Sequence, residues 1–403
     1  MSLSRRRFLG GSAMLAAGLA ARSASSLPMG PAWPLVWPRA SLLDDDVSSA
    51  IDAAARASLE AGACPGIAVR ITRRGRTLFS RSYGLANLET NSALTPDGIF
   101  RIGSLTKQFT AALILLLASR GRLALDDAAS RHLPFFTKAR PFTIRELLTH
   151  TAGLHSDERS SSCPTGPAGP RSQVQLAREI AAQQQLFDFA PGTAWLYSNA
   201  NYIVLGAIVE TLAARPLADA ASAMIFEPLA LRRTAFDTSA AVVAGRVAGY
   251  APMAGSPRAF LHAPFVEVAE AGGAGAMRST TADLCEWHHA VFTNRLFDAR
   301  YVELMVTPGR LRDGRLSGRN RFSADDASYS DVQYAMGLLV SPPSDAHRSV
   351  IHYGAINGFA ACLETFTDAG LTTVILCNGD IGPDMPFRAV RRVVAERVLP
   401  SAP

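Results

Sequence analysis

Lysine is nearly absent from this chain. Lysine and arginine together number 40, yet only Lys107 and Lys138 are lysines. Arginine stays protonated at any working pH, with a pKa above ~12, so almost all positive charge sits on a group that cannot act as a base. Other shortages exclude whole classes of chemistry. The five cysteines (Cys64, Cys163, Cys285, Cys362 and Cys377) show neither zinc-site spacing nor a CxxC pair. No GxSxG occurs, which removes the strand-to-helix nucleophile elbow. No apolar run reaches the ~20 residues that a membrane-spanning helix needs. The histidines of EWHHAV, His288 and His289, are adjacent and would diverge on a helix, which argues against a metal pair. His150 and His155 in HTAGLH also lack ligand spacing and read as structural.

What is present suits a globular protein. The 403 residues are 48% hydrophobic and 18% charged, enough for one large domain or two lobes with a sizeable core. The N-terminus reads as separate. SRRRFLGG (Ser4 to Gly11) and the 12-residue run GGSAMLAAGLAA resemble a twin-arginine export signal over residues 1–26, cleaved between Ala21 and Ser26. This implies a periplasmic or secreted protein with no stable membrane span. Losing Arg5, Arg6, Arg7 and Arg22 lowers the formal net charge from +6 to +2, so no nucleic-acid partner is expected.

A proline-rich spacer, residues 27–42, precedes the domain expected over 43–401. DDDVSSAIDAAARASLEAG predicts a helix with acidic residues at its start and Gly62 past its end. GIAVRITRRGRTLFSRSYGLANL predicts two antiparallel strands. FTIRELLTHTAGL predicts a helix ending near Gly153, and STTADLCEWHHAVFTN a capped amphipathic helix. ERSSSCPTGPAGPRS reads as a loop, and the arginine-rich GRLRDGRLSGRNR as a solvated loop. QYAMGLLVS, SVIHYGAI, GFAACLETF and LTTVILCN predict strands, and MPFRAVRRVVAERVL a closing helix. Cys362 and Cys377 flank the turn at Ala369-Gly370 at similar distances. They read as directly opposed across a hairpin, as two buried thiols rather than a bridge. Strands at both chain ends with helices between predict a mixed α/β fold. One sheet would be assembled from about 43–98 and 330–401, with a mainly helical lobe inserted at about 99–329 and a cleft between them.

The chemistry centres on FRIGSLTKQFTAALILLLASRGRL. Ser104 and Lys107 are three residues apart, so a helix places them side by side. The run that follows is apolar all round, which buries the helix in the core. Burial and the positive end of the helix dipole both disfavour a charged lysine there. A neutral amine beside a hydroxyl is a general base beside a nucleophile, and free N–H groups at a helix start stabilise an oxyanion. The bland alternative is a lysine reaching to the surface.

Two more segments, Tyr197-Ser198-Asn199 and His352-Tyr353-Gly354, follow in the order SxxK, YxN, HxG. This set resembles the serine β-lactamase and penicillin-binding protein superfamily, in particular its class C β-lactamase, D,D-carboxypeptidase and esterase branch. FTIRELLTHTAGL, IFEPLALRRTAFD, AGGAGAMRSTTADLCEW and YAMGLLV extend the resemblance over most of Cys64 to Asp380. It implies an antiparallel sheet flanked by helices, with a helical lobe and the site between. It implies that Ser104 is acylated, that Lys107 takes its proton and that Tyr197 relays a proton to the leaving group. It implies that Asn199, His352, Gly354 and Ala355 bind substrate, the N–H groups of Ser104 and Ala355 forming the oxyanion hole. No metal or cofactor is implied.

One departure bears on substrate. Many members carry lysine in the third motif, where it helps bind a substrate carboxylate, and His352 is a weaker anchor because histidine is mostly neutral near pH 7. The expected activity is therefore an exported serine hydrolase acting on an ester, a D-amino-acid peptide or amide, or a β-lactam. The alternatives are a true class C β-lactamase, or a non-catalytic binding or scaffold protein that kept the fold.

Overall fold

The computed structural model describes residues 40–156, 171–256, 258–322, 333–341, 347–380, 382 and 385–400. The expected export signal, most of the spacer, most of the loop around Cys163 and the last three residues lie outside them.

Eight strands line up across one sheet. They are β1 (Ala40–Ser41), β2 (Gly66–Arg73), β3 (Arg76–Asn87), β4 (Gln333–Tyr334), β5 (Leu339–Val340), β6 (Ser349–Ile356), β7 (Phe359–Phe366) and β8 (Leu371–Cys377). The order is β1-β3-β2-β8-β7-β6-β5-β4, every pairing antiparallel, and a short ninth strand, Ser92–Ala93, joins β3. The sheet therefore joins the two chain ends at the β2–β8 seam.

Both faces of this sheet are buried, and the alternation of a strand sorts its side chains between two cores. Ile67, Val69 and Ile71 of β2 point to one face, as do Ile375 and Cys377 of β8. There they meet Ile51, Ala55 and Leu59 of helix α1 (Asp45–Glu60) and Val390 of the helix at Phe387–Val393. Ala68, Val374 and Leu376 point the other way, into the larger core. That core is built around helix α2 (Thr106–Ser119), in which every residue from Thr106 to Leu117 is buried. Helix α3 (Asn199–Ala213) packs on α2. Helix α4 (Thr281–Phe292) lies over β2 and β8. Phe109 of α2 stacks on Trp287 of α4 with ring centroids 4.2 Å apart. The predicted cap of α4 is present: the Thr280 side chain accepts the Asp283 N–H.

Three local expectations are corrected. The QYAMGLLVS segment is two short strands, β4 and β5, folded back on each other at Ala335–Leu338. Gly337 there has φ +77°, and a side chain at it would press on the Lys107 backbone. The helix beginning at FTIRELL covers only Ile144–Leu148. It stops because His150 takes a left-handed φ of +58°, which ends the ladder well before Gly153. Cys362 faces Ile375 and Cys377 faces Ala360, so the two cysteines are diagonal neighbours and not directly opposed. Equal counting from the turn misplaces them because the seven-residue register starts at Phe366↔Leu371. Cys64, Cys285, Cys362 and Cys377 are buried free thiols.

Candidate active site

Ser104 sits in a single tight turn, Gly103–Leu105, that leads straight into α2. The short strand Phe100–Arg101 delivers it, paired with Met277–Ser279. N–H groups in such a first turn have no intrahelical acceptor. The turn is pinned from its own side, since the Thr106 hydroxyl donates to the Gly103 carbonyl and accepts the Met277 N–H.

The far half of β6 forms the opposite wall. Only Val350 and Ile351 pair with β5, so residues 352–356 have no strand partner on that side. The Ser104 segment approaches there. A side chain at Gly354 would run into the Ile102 carbonyl, and one at Gly103 would lie 2.6–2.7 Å from the N, C and O of Ala355. The two glycines are thus required by close backbone approach, and Ala355 itself is exposed at the edge.

Lys107 is completely buried on α2. Its Nζ lies 3.1 Å from Ser104 Oγ, 2.8 Å from Asn199 Oδ1 and 2.8 Å from the Ala274 carbonyl. The Ala274 carbonyl comes from the helical turn Gly272–Gly275, which is fixed because Thr110 donates to the Gly273 carbonyl and Gly273 N–H donates to Gln173. Desolvation lowers the lysine pKa well below its usual value. A neutral amine has two hydrogens and one lone pair. Directed at Asn199 and Ala274, the hydrogens leave the lone pair for the Ser104 hydroxyl proton.

Tyr197 and Asn199 arrive together at the start of α3, and the Tyr197 ring lies 4.7 Å from Lys107 Nζ. His150, read from sequence as structural, belongs to this layer. Its Nδ1 accepts the Ser198 N–H at 3.2 Å and an Asn201 amide hydrogen at 3.0 Å, and its ring packs 4.4 Å from that of Tyr197 and 4.6 Å from that of Tyr334. Burial, reinforced by repulsion whenever Lys107 or His352 is protonated, holds its pKa well below the usual histidine value, so it is neutral. The left-handed φ that cuts its helix short also turns it into the site. No sequence signal marked this, because it depends on a backbone conformation that histidine seldom adopts.

His352 is placed differently from the sequence expectation. It is only 4% exposed, its Nδ1 donates to the Tyr353 carbonyl at 2.6 Å, and its Nε2 is left to accept the Tyr334 hydroxyl at 3.2 Å. Burial, followed by the Lys107 charge, pushes its pKa down to about 3. It therefore carries no charge for a substrate carboxylate at neutral pH, and both of its nitrogens are engaged below the surface. Among the described residues no cluster of histidine, cysteine or carboxylate side chains is placed to hold a metal. No described helix is long and apolar enough to cross a membrane.

Comparison with known proteins places the chain among relatives. The family profile described as Beta-lactamase matches residues 51–397. The putative penicillin-binding protein PbpX of Bacillus subtilis (strain 168) is 26% identical over 306 residues, covering 76% of this chain and 68% of its own. Esterase EstB of Burkholderia gladioli is 35% identical over 185 residues, covering 42% of this chain and 47% of its own. Among solved structures, a D-stereospecific amidohydrolase from Streptomyces sp. superposes with a TM-score of 0.69 at 26% identity, covering 87% of this chain and 98% of that one. The matched stretch spans only 39–47% of the length of some of the curated relatives. Because the family profile spans residues 51–397, most of the chain, the chain belongs to the Beta-lactamase family, within the serine β-lactamase and penicillin-binding protein superfamily.

Proposed function

We propose that this protein is an exported serine hydrolase that works through an acyl-enzyme on an ester, a D-amino-acid amide or peptide, or a β-lactam. The observation that carries the reading is the buried, deprotonation-prone Lys107 with its lone pair left for Ser104. The Ser104 oxygen attacks the substrate carbonyl carbon as its proton passes to Lys107 Nζ. The oxyanion is held by the N–H groups of Ser104 and Ala355. Collapse forms the acyl ester and breaks the bond to the leaving group, which takes a proton relayed through Tyr197. Water then attacks the ester, the proton path reverses, and Ser104 is released. Asn199 orients Lys107 and the substrate, and the backbone edge at Gly354-Ala355 receives the substrate main chain. His352 acts from below, through Tyr334. Its neutrality weighs against a dedicated class C β-lactamase. EstB, an esterase by name, and the D-stereospecific amidohydrolase support ester and D-amide substrates. Residues 1–26 act as the twin-arginine-type signal and direct the protein to the periplasm or medium.

Intact mass of the mature protein after brief exposure to a penicillin, with Ser104→Ala in parallel, is the first test. An adduct on the wild type alone identifies Ser104 and a slowly deacylating, peptidase-like enzyme. No adduct with the penicillin consumed indicates a β-lactamase. Intact penicillin with Ser104-dependent turnover of a p-nitrophenyl ester indicates an esterase. Failure of all three removes the hydrolase reading in favour of a binding or scaffold protein.

A further inference from the structure

Away from Lys107, three guanidinium groups meet at one carboxylate. Asp237 is 1% exposed. It pairs with Arg246, with Arg278 at 2.8 Å and with Nε of Arg101 at 3.1 Å. One carboxylate balances one of these charges, so the cluster itself keeps an excess of positive charge where screening by solvent is weak. Arg246 registers the crowding. Burial, and the repulsion of Arg101 and Arg278, lower its pKa against the pull of Asp237.

Arg101 is the least exposed of the three side chains, at 15% against 19% for Arg278 and 22% for Arg246, but it is the one of the three that lines a cleft. Its Nε is engaged by Asp237, and its two Nη groups have no hydrogen-bond partner among the described residues. The cleft has a volume of about 240 Å³. Ser239 and Asn357 supply further polar atoms to the cleft, while Phe265 and Phe359 give it apolar walls. The Asn357 amide donates one hydrogen to the Pro264 carbonyl at 3.0 Å and keeps the other. Two carboxylates stand near. Glu267 accepts the N–H groups of Ser239 and Ala269, and Asp380 accepts that of Gly358. Neither pairs with the three arginines.

The cleft adjoins the reacting centre through the chain. Arg101 precedes Ser104 by three residues, and Asn357 follows Ala355 by two. We propose that this cleft is an anion subsite of the same centre. It takes a carboxylate carried by the substrate on a small apolar body, with the free edge of Arg101 as a two-pronged donor and Asn357 as a second contact. The subsite rests on the serine-hydrolase reading and narrows it, because it selects acidic substrates without any role for His352.

The test uses 3-phenylpropionate and 3-phenylpropanamide, which share a body and differ in charge, as competitive inhibitors of p-nitrophenyl butyrate hydrolysis. The acid is expected to bind about tenfold or more tighter than the amide, as one charge-assisted contact provides. Arg101→Gln should erase the preference and Asn357→Ala should reduce it, with turnover of the butyrate retained. Arg246 and Arg278 still hold Asp237 in the first variant, and the second leaves the arginine cluster intact. Equal affinities, or a preference that survives both substitutions, overturns the subsite. If the wild type turns over no ester and also neither forms an adduct with penicillin nor consumes it, the hydrolase reading falls instead. Calorimetric titration of the same two ligands then decides the subsite alone: binding of the acid that is lost in Arg101→Gln upholds it, and no binding refutes it.

Discussion

Replacing Gly103 by alanine tests whether the backbone contact between the Ser104 turn and strand β6 sets the reaction geometry. Gly103 has φ +49°, and an added Cβ would stand 2.6–2.7 Å from the N, C and O of Ala355. Carbon and oxygen need about 3.3 Å, so the two segments must part by roughly 0.7 Å. The left-handed backbone costs an alanine about 1–2 kcal/mol and the overpacking a further ~1–3 kcal/mol. The chemical consequence is larger than the stability loss, because the displaced segments carry the two proposed oxyanion donors. A misplacement near 1 Å can cost about a hundredfold, and loss of one such donor about 10²–10³-fold in kcat. Gly103→Ala should therefore lower kcat for p-nitrophenyl butyrate by roughly 10–100-fold while KM moves little, because the donors act on charge that develops only in the transition state. Denaturant unfolding fixes the folded fraction, so that kcat is computed on native protein. A kcat within about twofold of wild type, with the fold intact, would refute the claim that this contact sets the hole.

Two other predictions follow from ionisation. Lys107→Arg should reduce kcat/KM by about 10²–10⁴-fold at every pH, because a guanidinium cannot accept the Ser104 proton. In the wild type, activity should rise with pH through the lowered pKa of Lys107, and a pH–rate profile of the variant should lack that limb. Acid should unfold the protein early. His150, His288 and His352 are buried and neutral, with pKa values well below the ordinary value for His150 and about 3 for the other two. The unfolded chain binds these protons below about pH 6.5 and the folded chain does not, so stability falls as pH drops. Between about pH 6 and 4.5 the slope should approach three protons, about 4 kcal/mol per pH unit. Urea unfolding across that window measures it, and a slope below one proton would contradict the buried-neutral assignment.

The sheet, the buried helix and the Ser104–Lys107 pair were legible because each leaves a local signature. Alternation marks β2 and β8, an unbroken apolar run marks α2, and three-residue spacing marks the pair. The mixed fold with strands from both chain ends followed from the same patterns. What stayed hidden depends on distant backbone. The Ala274 carbonyl that holds Lys107 is a main-chain acceptor 167 residues away, and no side-chain letter announces it. His150 reads as structural, and its place against Tyr197 was hidden because it comes from a left-handed φ. QYAMGLLVS reads as one strand because the strand signal on either side outweighs a single glycine, although Gly337 is where the chain must bend around α2. The arginines around Asp237 come from three separate segments and join only in the folded chain.

The β2–β8 seam also governs when the protein can become active. Arg73 is the register partner of Leu371, and strand β6, which completes the reaction geometry, is likewise synthesised long after β2. Closing so long a loop costs entropy before any pairing is gained, which slows assembly. At about 5–20 residues per second, a ribosome needs roughly 15–60 s to make the intervening chain. For most of that interval, from synthesis of the apolar helix bearing Lys107 until β6 is made, the helix lacks its β6 wall, and the nascent chain exposes surface that chaperones would have to cover. Catalysis is thereby coupled to synthesis of β6: a product truncated before that strand keeps its serine and lysine but has no centre in which to use them.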